Sequence, residues 1–142
     1  MTKHPETDIR NFGVYRIQII DTPGLNWSLD PIRRNSEVFV MRMDGSSPVN
    51  VSQHGAFDGW PMWSPNGRWL VFASNRDKLP NIGQIYAVRP DGSDLRAMTT
   101  GSISRLQPSF SADGKRLFVF ENVEAAGFTI GHIASVEVAL PE

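Results

Sequence analysis

His54 and Asp58, four positions apart, are the first residues in the chain with obvious chemical capacity. An imidazole and a carboxylate can share a metal ion or pass a proton. A catalytic zinc site takes three protein ligands and a structural one four, and the other histidines, His4 and His132, lie far off in sequence. The reading is therefore no metal and no cofactor. Ser64 stands in Trp-Ser-Pro-Asn-Gly, which is turn chemistry. Ser135 follows Gly131-His132-Ile133-Ala134 without the closing glycine of a nucleophile elbow. Glu121 and Glu124 would suit a glycosidase only if a cleft held them apart; in sequence they read as the solvated end of a strand. What remains suits recognition: His54, Asp58, Trp60 and Arg76 with Asp77, then Arg105, and Trp27, Arg33 and Arg34 in a long loop. The plainer role for Asp58, Arg76 and Asp77 is to hold loops together, as polar side chains do in turns.

Composition narrows the classes. The chain has 142 residues, 40% hydrophobic and 20% charged, with a net charge of −1. That is the make-up of a globular domain, without the basic stripe of a nucleic-acid binder. No apolar run approaches the ~18 residues that would span a bilayer as a helix, so neither nucleic acid nor membrane is an expected partner. Residues 1–13 lack the apolar core of a secretory signal, which makes the cytoplasm the default compartment. With no cysteine, disulfide and thiolate chemistry are excluded.

The elements that must position these residues recur. Pro61-Met62-Trp63-Ser64-Pro65-Asn66-Gly67-Arg68 returns as Pro108-Ser109-Phe110-Ser111-Ala112-Asp113-Gly114-Lys115, and Glu37 to Ser46 returns as Gln84 to Ser93; 108 − 61 and 84 − 37 both give 47. A fixed period in the range of roughly 20–50 residues marks a repeat architecture. Within one repeat, a strand ending at Ser64 turns at Pro65-Asn66-Gly67 into Trp69–Ala73, which is apolar on both faces. Such a run fits a strand covered on both sides. A loop over 75–83 leads to a third strand, 84–88, closed by Asp91-Gly92, a strong hairpin signal. A more polar fourth strand over 95–99 completes the unit. Glu121–Ala126 is the nearest candidate for a helix, and Gly127 limits it. Four antiparallel strands in about 45 residues describe a propeller blade.

Pro61-x-Trp63-Ser64-Pro65-Asn66-Gly67-Arg68, Ala73-Ser74-Asn75-Arg76-Asp77, Ile85-Tyr86, Pro90-Asp91-Gly92 and Asp58 together resemble the WD-like repeat of TolB-type β-propellers. The resemblance spans most of residues 37–122. It departs in the third repeat, where Arg105 stands at the aspartate position, Phe110 replaces tryptophan and Ala112 replaces the second proline. It implies an all-β propeller of four-stranded antiparallel blades. It also implies the periplasm if the chain is a trimmed TolB-like protein. Similar blades serve scaffold proteins, peptidase propellers and polysaccharide lyases, so function must come from the site.

Three blades are expected: about 6–52, with a long loop over 21–36, then about 60–99, then about 106–140, with its last strand missing or exchanged. In the first, residues 14–20 read as the second strand after a turn at Asn11-Phe12-Gly13, and 6–10 as a candidate innermost strand. Propellers close with four to eight blades, so a homodimer completing a six-bladed ring is the expected assembly, two-fold closure being the commonest. The loops between blades, and those joining second to third strands, would bring His54, Asp58, Trp60, Arg76, Asp77, Arg105, Glu121 and Glu124 to one end, with Trp27, Arg33 and Arg34. The expected function is a non-catalytic binding or scaffold module holding a protein, peptide or saccharide there. The alternative is a lyase or hydrolase with its active site at the same place.

Overall fold

The computed structural model describes residues 2–3, 9–12, 37–42, 46–77, 82–125 and 128–141. Among them there is no helix, and the strands form three antiparallel sheets. The first sheet joins β1 (Thr2–Lys3), β2 (Ile9–Phe12), β3 (Phe39–Arg42) and β4 (Val49–Asn50) in chain order. The second joins β5 (Asp58–Trp63), β6 (Leu70–Ser74), β7 (Gln84–Val88) and β8 (Arg96–Ala97). The third consists of β9 (Ser104–Phe110), β10 (Arg116–Ala125) and β11 (Phe128–Glu137), with β10 central.

The second sheet lies between the other two, and its residues alternate between two cores. Leu70, Phe72, Tyr86 and Val88 bury against Val38, Val40 and Val51 of the first sheet and its following loop. Trp69, Val71, Ala73, Ile85 and Ala87 bury against Leu117 and Val119 of the third. Every residue of β6 and β7 is buried, which is the physical reason for the apolar run on both faces.

The backbone repeats as the sequence does. Left-handed residues recur 47 apart at Ser47 and Asp94 (φ 52° and 56°), Trp60 and Gln107 (53° and 51°), and Gly67 and Gly114 (68° and 71°). Trp60 and Gln107 sit where β5 and β9 lose register with their neighbours, as β-bulges do. Each turn is held alike: Gly67 N donates to Ser64 O and Gly114 N to Ser111 O, both at 2.9 Å. The hydroxyls of Ser52 and Thr99 accept from Val38 N and Ile85 N, at 3.0 and 2.9 Å.

Some boundaries differ from expectation. The second strand of the first sheet is Ile9–Phe12, so Asn11 and Phe12 extend a strand rather than turn; residues 14–20 lie outside the described ones. The first place in that sheet belongs to Thr2–Lys3 rather than 6–10. The strand expected over 95–99 shortens to Arg96–Ala97 because Met98 N and Thr99 N both donate to Ile85 O, curling the chain. Glu121–Ala125 is strand, paired residue by residue with β11.

Candidate functional site

The starts of β5 and β9, the ends of β6 and β10 and the starts of β7 and β11 share one end of the sheets, by their antiparallel registers. Two polar clusters are built there. In the second sheet the Arg76 guanidinium donates to Asp58 Oδ1 at 2.9 Å, to Ser74 Oγ at 2.9 Å and to Ser52 O at 3.1 Å. Its Cζ lies 4.8 Å from the centre of the Tyr86 ring and 5.2 Å from that of Phe72, within cation–π range. Asp58 is buried, and its Oδ2 has no hydrogen-bond partner among the described residues. The Tyr86 hydroxyl donates to Asp77 Oδ1 at 2.6 Å. Burial, then that bond to a carboxylate, push the phenol well above its ordinary pKa.

The third sheet also carries an ion pair at this end, with an arginine at the position of Asp58 and its partner at the position of Ser74. Arg105 faces Glu121 across the β9–β10 pair as Asp58 faces Ser74 across β5–β6. Arg105 Nε donates to Glu121 Oε1 at 2.6 Å, and Nη1 to Thr100 O at 3.0 Å. His132, opposite Glu121 on β11, holds Nε2 3.1 Å from Glu121 Oε2. Glu121 is buried although it reads from sequence as a solvated strand end. His132 is half-exposed (49% for its side chain), so this cluster opens to solvent.

Those of the remaining expected residues that are described have partners of their own. His54 is exposed, and its Nδ1 accepts from Ala56 N at 3.1 Å. Trp60 is half-buried, with its ring 5.1 Å from Phe57. Trp27, Arg33 and Arg34 lie outside the described residues. Ser64 accepts from Trp69 N and donates to Asn66 Oδ1, which ties it to its turn. Among the described residues no three His, Asp or Glu side chains converge as a metal site. His132 is the member missed in sequence; Glu121 is expected at this end, but as a solvated residue rather than as the buried partner of Arg105. A signal existed: an arginine at the repeated aspartate position asks for an anion opposite, and Glu121 lies 47 residues after Ser74.

Beyond β10's pairing with β9, Val123–Ala125 and Phe128–Ile130 continue as a two-stranded ribbon. It carries exposed Glu124, which accepts from Thr129 Oγ1 at 2.6 Å, and Ile130. At the opposite end, a cleft of about 270 Å³ opens between Ser64, Pro65, Phe110, Asp113 and Leu140.

The TolB beta propeller domain matches residues 21–139. The chain is 32% identical over 85 residues to the Tol-Pal system protein TolB of Syntrophus aciditrophicus, covering 60% of this chain and 17% of that protein. It is 28% identical over 95 residues to the uncharacterized peptidase YuxL of Bacillus subtilis, covering 67% of this chain and 14% of that protein. Among solved structures, a protein described as a TolB of Agrobacterium tumefaciens superposes with a TM-score of 0.53 at 28% identity, covering 60% of this chain and 30% of that one. TolB of Acinetobacter baumannii gives 0.51 at 18% identity, over 73% and 27% of the two chains, and speaks for the fold alone. The chain thus spans about a third or less of the length of these relatives.

Proposed function

The chain belongs to the TolB beta propeller domain family, and we propose that it acts as a non-catalytic binding module of blade-like sheets. Its ligand is a protein, peptide or saccharide held at the end of the sheets that carries Arg105, Glu121 and His132. The observation that carries this reading is the pairing of the acidic groups. Asp58 and Glu121 are each held by an arginine, so they are fixed, paired groups rather than free acids and bases. An exposed imidazole held against a largely buried guanidinium–carboxylate pair is suited to hydrogen-bonding a polar ligand.

The test is binding of the purified chain to peptide and glycan arrays, with hits confirmed by calorimetry. His132→Ala should weaken a true ligand about tenfold or more while leaving the melting temperature unchanged. Failure of every peptide and saccharide at millimolar concentration would overturn the reading. The alternative, a hydrolase at the same end, takes its support from the likeness to YuxL. Turnover of a bound peptide, abolished by His132→Ala, would establish it instead.

A further inference from the structure

We infer that the outer face of the third sheet is an interface for the first sheet of a second copy of this chain, and that two copies close head to tail into one ring. This goes beyond the binding reading and does not depend on it. Leu70 and Phe72 turn to the first sheet, while Trp69, Val71 and Ala73 turn to the third. Forty-seven residues on, Leu117 and Val119 do face the second sheet. The counterparts of Trp69, Val71 and Ala73 are therefore Arg116, Phe118 and Phe120. Val71 is fully buried, yet Phe118 is 42% exposed, and Ile133, paired with Phe120 on the same face, is 68% exposed.

The first sheet has the complementary half. Val38 and Val40 correspond to Ile85 and Ala87, and they face the second sheet. Phe39 and Met41 correspond to Tyr86 and Val88, which are buried against the neighbouring sheet. Phe39 and Met41 are only half-buried. The two end faces are thus the two halves of a contact that the chain already makes twice within itself.

The path of the chain after β11 does not cover the outer face of the third sheet. After β4 and β8 the backbone passes on to the next sheet. After β11 it goes the other way, toward the second sheet, where Leu140 packs on the core shared with that sheet. Pro141 O accepts from Trp69 Nε1 at 2.9 Å. The backbone over 138–141 therefore leaves on the side away from Phe118 and Ile133, and the outer face of the first sheet is the surface whose pattern matches theirs. A head-to-tail contact either closes or grows into a filament. Two copies of three sheets make six, inside the usual four to eight of propellers, whereas three copies would make nine.

Light scattering on a sizing column tests this on the chain as it stands. The expected mass is twice 15.8 kDa, unchanged by dilution across the micromolar range. Ile133→Glu and, separately, Phe118→Glu should each give folded monomers by circular dichroism, while Leu95→Glu, exposed on the second sheet's edge, should stay dimeric. Because the chain has no cysteine, Met41→Cys with Ile133→Cys allows a short bis-maleimide to report the contact directly. The paired variant should cross-link between copies and each single variant should not. A wild-type monomer, or a mass that climbs with concentration, overturns the closed ring. Cross-linking of Ile133→Cys alone would also overturn it, because that outcome means two third sheets meet face to face.

Discussion

Tyr86 illustrates how a single side chain is set by its surroundings. Its hydroxyl is spent on Asp77, and its ring on Arg76 and Phe72. Because the folded phenol titrates above the unfolded one, its contribution to stability is complete below about pH 10, the unfolded value. It is lost as pH rises from there through the folded pKa, since the unfolded chain then sheds the proton first. Wild type should lose melting temperature between pH 10 and 11.5 more steeply than Tyr86→Phe; parallel slopes by differential scanning fluorimetry would mean the bond to Asp77 is not made. The ion pair of Arg105 and Glu121 belongs to the same scale. It shows that what is repeated at this end is an ion pair, not a residue type.

The strands and turns carry the period in their dihedral angles. Gly67 and Gly114 close equivalent turns in the left-handed region, which costs a residue with a Cβ about 1–2 kcal/mol. At Gly114 a Cβ would meet only Pro65 at 3.5 Å, an ordinary contact, so the penalty is purely that of the backbone. Gly114→Ala should therefore destabilise by about 1–2 kcal/mol in urea titrations with an unchanged slope. A much larger loss would mean the turn has rearranged. Gly131 is a different case: a Cβ there would run into the Phe120 ring lying across it, so packing rather than φ selects glycine.

At the scale of the whole molecule, three sheets are joined by few but specific crossings. Arg76 reaches from the second sheet to Ser52 O in the loop after the first. Gln84 Nε2 donates to Gly101 O and Ile103 O in the loop leading to the third. Trp69 ties the C-terminal segment back to the second sheet while Arg89 stacks 4.0 Å from its ring. Trp69→Phe removes the donor to Pro141, a bond worth about 1 kcal/mol. Amide exchange at Val138–Leu140 should speed up by roughly five- to tenfold, more than in β6. Equal acceleration everywhere would mean that the substitution weakens the core and not the clasp.

The all-β class, the 47-residue period and the doubly covered middle strands are legible before any folding is known, because turn chemistry and burial on two faces are local properties written in residue type. The repeat also marks Arg105 as a departure from the pattern. Only the tertiary structure decided what that departure means: Glu121 looks solvated in sequence and is buried, because β9 and β11 close on it from either side with Arg105 and His132. The same holds for Phe118 and Ile133, which read as ordinary strand residues. Their exposure follows from which sheet stands next to them, and that is a property of the packed molecule rather than of any segment.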